Sequence, residues 1–380
     1  MAGMAHVVML VHSDYYHDNR VVREAELLAA ERYKVTVLAV ETGQGEPFLT
    51  GYQNGVEVVT CRISSHSGKG RFIQMMRVFW RRLKSLKPDI IHAHDLDTLL
   101  PAWRFARSRG IPLIYDSHEL YLESTGLRGR RLIRAVWAVL ERMLIHRAAA
   151  VITVCESIAA YLQKEYKLER KPEVIRNFAI SPKMDLISGS DIPDEVRDLR
   201  SRMPFVAIYQ GMLREGRGLN LITEVIQSAE NWGLIICGSG PMAEELNHKI
   251  AELQIEDRIV MTGQLQHHVL AGVTGIADAG FCYIEPISLS YRFALPNKLS
   301  EYVQAGVPVI GSDLPEIRHL IEKHQTGYIC SNKEQILQAL HDLEIPENSS
   351  KIKQNLKRAA PDLCWHTEGK KLTALYEKLI

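Results

Sequence analysis

The sequence predicts an α/β chain built from two doubly wound domains in tandem. Short, continuous apolar runs recur along the 380 residues, and 46% of the residues are apolar. Amphipathic stretches of helical period separate those runs, as in a parallel sheet covered on both faces. The series pauses once, around residues 175–182, and then begins again. Two domains of ordinary size, each with its own core, fit this length.

The elements follow in order. "HVVMLVH" (6–12) is the first strand, "NRVVREAELLAAERY" (19–33) a helix and "KVTVLAV" (34–40) the next strand. "VEVVTCRI", "DIIHAH", "PLIYDSH" and "AVITVC" continue the first series. The polar stretch "DLISGSDIPDEVRDLRSRMP" (185–204) follows the pause. "FVAIYQG", "WGLIICGSGP", "RIVMTG", "AGFCYIE", "VPVIGS" and "TGYIC" form the second series, and an amphipathic helix (362–380) closes the chain. Ligands of such folds sit beyond the carboxyl ends of the strands, here at a cleft between the two domains.

Bulk properties exclude several classes. A net charge of +1 gives no global basis for binding nucleic acid. Six scattered cysteines without CxxC or Cys/His spacing argue against a zinc site and a disulfide scaffold, and favour a reducing compartment. The first apolar run lacks a basic flank and is read as a strand, not as a signal peptide. No run approaches about 18 apolar residues, so no transmembrane helix is expected.

Five stretches carry candidate chemistry. In "YQGMLREGRGLNLIT" (209–223) a strand ends at Gly211, and a glycine turn containing Arg214, Gly216 and Arg217 leads into a helix. Exposed amides at such a turn suit an oxyanion, and a guanidinium forks onto phosphate. "CGSGPMAEEL" repeats the pattern with Gly238, Ser239 and Gly240, and with Pro241 at an early helical position. In "LPNKLSEYVQAGVPVIGSD", Asn297 reads as an N-cap, with Lys298 and Glu301 one turn apart. A carboxylate accepts two hydroxyls at once, as a ribose offers. At the ends of two N-terminal strands, "HAHDLDTLLPAW" and "YDSHELYLES" bring His94, Asp95, Asp97, His118 and Glu119 to one edge, suited to a polyhydroxylated ligand. Neither HxxxH nor HExxH occurs, so no metal is expected. Finally, 69–88 and 128–147 mix arginine and lysine with aromatic and aliphatic residues. Helices of that composition lie on anionic membranes, and core-facing stripes with solvated arginines produce the same letters.

Taken together, "HAHDLDTLLPAW", "YDSHEL", "VITVCESIAAYL", "VIRNF", "YQGMLREGRGL", "CGSGP", "LPNKLSEYVQAGVPVIGSD" and "CWHTEGKKLTALYEKL" resemble the retaining family-4 glycosyltransferases (glycosyl transferases group 1), over nearly the whole chain. The resemblance implies the GT-B fold, with two Rossmann-like domains facing across a cleft. It implies an N-terminal acceptor domain over 1–178, a nucleotide-sugar domain over 179–362, and a helix over 363–380, with Trp365, packing back on the first domain. By the same resemblance Arg217 and Lys298 hold the donor diphosphate, Glu301 binds the ribose, and His118 meets the donor sugar near the reaction centre. Gly211, Arg214, Gly216, Gly238, Ser239, Gly240, Asn297 and Leu299 complete the donor set. Two departures stand out: Phe293 replaces the first glutamate of the family's E-x7-E motif, and Met212 replaces an arginine. The glycine pair common after the first strand is also missing. "SDYYHDNR" stands there, with Asn19 and Arg20 as acceptor-side candidates beside His94, Asp95, Asp97 and Glu119.

The expected activity is transfer of a sugar from a nucleotide diphosphate sugar to an acceptor hydroxyl, without metal or other cofactor. The acceptor is a glycan, a lipid-linked molecule or a small metabolite. A cytoplasmic location is expected, with peripheral contact at the membrane face through 69–88 and 128–147. A GT-B epimerase or phosphorylase, or a non-catalytic nucleotide-sugar sensor, are the alternatives.

Overall fold

The computed structural model describes residues 4–66, 68–127, 129–180 and 191–380. Arg128 and residues 181–190, parts of stretches named above, lie outside the described residues. The chain forms two compact units, Met1–Asn177 with Glu368–Ile380, and Phe178–Thr367. It re-enters the first unit inside its last helix rather than ahead of it.

In the first unit the elements are β1 (His6–Leu10), α1 (Asn19–Ala30), β2 (Lys34–Thr42), β3 (Phe48–Gln53), β4 (Val56–Ile63), α2 (Gly68–Leu83), β5 (Ile90–His94), α3 (Leu96–Arg109), β6 (Leu113–Ser117), α4 (Arg131–Leu144), β7 (Ala150–Thr153), α5 (Glu156–Tyr166) and β8 (Glu173–Val174). The sheet order is β3-β4-β2-β1-β5-β6-β7-β8. Strands β1, β5 and β6 are buried at every position, which is why they read as unbroken apolar runs. Edge strand β3 departs from the expected all-parallel sheet, because it pairs antiparallel with β4. The turn between them is Asn54-Gly55, with φ of 47° and 84°. Two successive positive φ values are what a two-residue hairpin requires.

The second unit holds α6 (Asp194–Arg202), β9 (Phe205–Gln210), α7 (Leu219–Ser228), β10 (Trp232–Cys237), α8 (Ala243–Glu252), β11 (Ile259–Gly263), α9 (His267–Gly275), β12 (Ala279–Cys282), α10 (Leu289–Arg292), α11 (Asn297–Ala305), β13 (Val309–Ser312), α12 (Pro315–His324), β14 (Gly327–Cys330), α13 (Lys333–Glu344), α14 (Pro346–Ala359) and the first residues of α15 (Trp365–Glu377). Its sheet, β11-β10-β9-β12-β13-β14, is parallel throughout. This is the doubly wound order, and its direction reverses between β9 and β12. The loops after those two strands therefore border the crevice where such folds bind ligands. In the first unit the reversal falls between β1 and β5.

From Glu368 onward, α15 belongs to the first unit. Glu368 accepts from the Arg176 amide at 3.0 Å, and the Tyr376 hydroxyl lies 2.8 Å from His92 Nδ1.

Helix α4 is apolar on more than one side. Its packed side holds Leu144 and the half-buried Trp137 together with Glu141, whose carboxylate accepts from the Tyr115 and Tyr166 hydroxyls at 2.8 and 2.6 Å. Leu132, Ile133, Val136, Val139 and Met143 are exposed, Leu132 at 85% and Val136 at 66%.

Candidate active site

In the second unit, the glycine turns after β9 and β10 lock together through their backbones. The Leu213 amide donates to the Ser239 carbonyl at 2.9 Å, and the Met242 amide to the Leu213 carbonyl at 3.0 Å. Gly238 has φ of 151°, and a Cβ there would sit 1.9 Å from the Gly211 carbonyl oxygen. Only glycine allows the two turns to meet. Gly211, Gly216 and Gly240 also have positive φ, and Ser239 is exposed on the second turn.

Three cations converge beside these turns. Arg214 and Arg217 lie over the ring of Tyr291, at 5.5 and 5.1 Å from its centroid. Lys298 Nζ lies 3.7 Å from the centroid of Tyr209. Among the described residues none of the three has a carboxylate within ion-pair range, and Lys298 Nζ is buried with no hydrogen-bond partner. Burial, with a further push from Arg217, brings the Lys298 ammonium down to about 7. Burial and the neighbouring Arg214 lower Arg217 as well. A buried cation without a partner is costly unless an anion meets it.

The residues around Lys298 need corrections. Asn297 is not the cap of α11. The cap is Pro296, and no side chain caps the helix, so Asn297 occupies the first helical position. The Leu299 side chain is fully buried, and its amide donates to the Pro296 carbonyl at 3.1 Å. Pro241 lies ahead of α8, which starts at Ala243. Glu301 bonds not to Lys298 but to the Gln210 side-chain amide, whose oxygen accepts from Thr274 Oγ1 at 2.8 Å. Gln210 was not among the sequence candidates. Its position at the last residue of β9, just before the glycine turn, was the available signal.

In the first unit the ends of β5 and β6 build a second polar centre. His118 Nε2 lies 3.1 Å from Asp116 Oδ2, and its Nδ1 lies 3.4 Å from Asp95 Oδ2. Burial opposes charge on His118, but Asp95 and Asp116 overcome it and raise the imidazole to about 10. Arg20 is not an acceptor-side residue. It is buried, with Nε and Nη2 on the two Asp116 oxygens at 2.8 and 2.9 Å and Nη1 on the Ile175 carbonyl at 2.7 Å. His94 is also withdrawn from any ligand, because its side chain is fully buried and stacked on His92 at 4.2 Å. Burial lowers both imidazoles. Asp97 is held by His12 Nδ1 at 2.5 Å, and Arg71 Nε donates to His12 Nε2 at 2.7 Å. Asn19 and Glu119 are exposed.

Glu24, His92, His94 and Asp116 lie close enough to be tested as a metal site. The cation already among them is Arg20, 3.1 Å from Glu24 and doubly bonded to Asp116. His92 Nε2 stands 3.9 Å from both Glu24 and Asp116. Ligands on a tetrahedral zinc, bound at about 2.0–2.2 Å, lie roughly 3.3–3.6 Å apart. Charge and spacing both assign the group to a buried ion-pair network.

Comparison with known proteins places these two centres in a family. Residues 18–179 match Glycosyltransferase Family 4, and residues 191–362 match Glycosyl transferases group 1. These two segments belong to those glycosyltransferase domain families, and the fold is the two-domain GT-B fold. It is 25% identical over 244 residues to a chitobiosyldiphosphodolichol beta-mannosyltransferase of Candida albicans, covering 60% of this chain and 52% of that protein. It is 24% identical to an alpha-monoglucosyldiacylglycerol synthase of Streptococcus pneumoniae, covering 76% and 63%. The chain thus spans between half and two thirds of these curated relatives. Among solved structures, sucrose-phosphate synthase from Thermosynechococcus elongatus superposes with a TM-score of 0.78 at 15% identity, covering 99% of both chains. Anabaena Alr3699/HepE, in complex with UDP and glucose, superposes at 0.77 and 15% identity, covering 99% of this chain and 100% of that one.

Proposed function

We propose that this protein is a retaining, metal-independent glycosyltransferase. It moves a sugar from a nucleotide diphosphate sugar to an acceptor hydroxyl, in the biosynthesis of a surface glycan or glycoconjugate. The observation that carries the reading is the trio Arg214, Arg217 and Lys298, three cations beside the amino end of α11 without an acidic partner among the described residues. A diphosphate supplies the missing charge, and Glu301, held by Gln210, is oriented to accept from ribose hydroxyls.

The mechanism follows from charge. As the bond from the sugar to the diphosphate breaks, negative charge grows on the leaving oxygen. Fixed cations and first-turn amides stabilise that charge more than they stabilise the ground state. Arg217 and Lys298 take the place of a metal ion, so activity is expected to be unchanged by chelators. Restoration of chelated enzyme by magnesium would overturn this point. With attack on the face from which the diphosphate leaves, the leaving oxygen takes the acceptor proton.

Nucleotide sugars are expected to raise the melting temperature, because a ligand that binds only the native state stabilises it. At a donor concentration of about 100 Kd the gain is about 2.7 kcal/mol. Glu301→Ala should abolish that shift; an undiminished shift removes Glu301 from the donor site.

Contact with an anionic membrane surface completes the proposal. The outward apolar face of α4 supports it, as does an open hollow of about 420 Å³ between α2 and α3. Arg77, Arg81, Lys84 and Arg104 line the hollow around Trp80. Like charges at i, i+4, such as Arg77 and Arg81, destabilise a helix unless an anion offsets them. The double variant Leu132→Glu/Val136→Glu should lose co-sedimentation with vesicles containing phosphatidylglycerol and keep its donor-induced thermal shift. Undiminished sedimentation would exclude α4 from the contact.

A further inference from the structure

We propose that Asp95 is a positioning residue which, together with Asp116, holds His118 as a fixed cation with no ring nitrogen free to act as a base. This rests on the transferase reading proposed above and on the family resemblance that implies a place for His118 beside the donor sugar.

The first observation is the backbone of Asp95. It has φ of 62° and ψ of 168°, a region that glycine occupies freely and other residues do not. Such strain persists where the surroundings require it. Here it delivers a single carboxylate to two points on His118: Oδ1 accepts the backbone amide at 3.0 Å, and Oδ2 faces ring Nδ1 at 3.4 Å. The Asp95 amide in turn donates to the Asp116 carbonyl at 2.8 Å, so the two strand ends are tied together.

The second observation is the opposite side of the ring, where Nε2 meets Asp116 Oδ2 at 3.1 Å. Both Asp116 oxygens are fixed by Arg20, so this carboxylate cannot turn away. The groups around His118 are Asp95, His94 and His92 from β5 and its end, Asp116 from β6, and Arg20 and Glu24 from α1. His94 is held neutral by burial, and Arg20 is matched by Asp116. Burial pushes the Asp95 carboxyl up to about 7 while His118 draws it down, and Asp116 at the other nitrogen favours the charged ring, so the proton between Nδ1 and Oδ2 is placed on His118 and both nitrogens carry protons.

A general base needs an unprotonated atom within reach of the proton it removes. His118 offers none, so in the transfer it neither gains nor loses a proton. The acceptor O–H bond breaks and its proton goes to the leaving phosphate oxygen. The bond from the sugar carbon to phosphate breaks as the bond to the acceptor oxygen forms. His118 contributes a stationary positive charge.

The test is nitrogen NMR on the full chain labelled in histidine, with His118→Gln used to identify the His118 signals. Both ring nitrogens of His118 are expected to stay protonated up to about pH 8.5, because an adjacent carboxylate moves an imidazole by about 1–3 pH units. Asp95→Asn should lower that titration by about one pH unit or more. Its kcat should fall about tenfold or more with little change in donor KM, the pattern of an interaction made only in the transition state. Asp95→Gly, which relieves the backbone strain, should keep the melting temperature and lower the His118 titration in the same way. A bare ring nitrogen on wild-type His118 at pH 7.5 would sink the proposal, as would an Asp95→Gly protein whose His118 titrates like the wild type. The NMR result stands whether or not a nucleotide sugar is turned over, so failure of the transferase reading is seen separately as a wild type that neither binds nor transfers.

Discussion

Lys298→Met is expected to raise the melting temperature of the free protein and to abolish its affinity for nucleotide sugars. Lys298 Nζ is buried and without a hydrogen-bond partner in the free structure, so its charge opposes folding. Methionine has a similar length and no charge to desolvate. Replacing buried charge by a well-packed apolar side chain is neutral or stabilising by about 1–4 kcal/mol. Loss of the contact with Tyr209 subtracts up to about 2 kcal/mol. A net gain of about 1 kcal/mol corresponds to about 2–4 °C for a unit of this size. The sign of the pH dependence follows. The folded ammonium sits at about 7, below its ordinary value of 10.5. Between those limits the unfolded chain binds more protons, so wild-type stability rises with pH across that window. The advantage of Lys298→Met is therefore full at pH 7 and below, and fades above it. Donor binding runs the other way. A diphosphate binds the protonated form, so wild-type affinity should fall about tenfold per pH unit above 7. Calorimetric titrations at pH 6.5 and 8.5 check this slope, and the variant should show neither slope nor binding. A variant that binds donor within about tenfold of wild type would remove Lys298 from the site.

The physical reason for that trade was partly legible in the sequence. Continuous apolar runs fixed the strand positions, because parallel strands buried on both faces leave no room for polar alternation. The glycine turns after β9 and β10 were legible for a similar reason: "QG" and "CGSG" each follow such a run directly. Local spacing could not show which partner each polar residue would choose. Arg20 reads as a loop residue at a helix start, yet its partner Asp116 lies 96 positions away. Glu301 is committed to Gln210 across 91 positions. The positive φ of Asp95 leaves no trace in residue type, since aspartate is an ordinary strand-end residue. Strand β3 was missed despite the turn signal Asn54-Gly55, because "FLTGYQ" has no fully buried residue and carries no apolar run. The amphipathic period of α4 was visible, but the burial of Glu141 on its packed side was not. It depends on Tyr115 and Tyr166, which give Glu141 a satisfied place inside.

Arg217→Met should lower kcat by about 10²–10³-fold, the cost of removing one preorganised charge from a developing oxyanion. The side chain is built for that task. It sits between Gly216 and Gly218, whose φ values are 78° and 66°, and a Cβ on Gly218 would lie 2.6 Å from the Tyr283 ring. The turn therefore presses against Tyr283 and presents Arg217 over Tyr291 in one orientation. Arg214, stacked on the same ring, repels Arg217, so neither cation gains from the other in the free protein. An anion between them and solvent offsets that repulsion. Arg217→Lys is not a conservative change here, because an ammonium lacks the planar fork and the ring stacking. It should recover at most about a tenth of the lost rate. Ground-state affinity for the nucleoside diphosphate should weaken far less, by about tenfold, because Lys298 and the α11 amides remain. Single-turnover rates set against calorimetric Kd values separate the two effects. Equal losses in kcat and in affinity would assign Arg217 to uniform binding and leave the leaving-group charge to Lys298 alone.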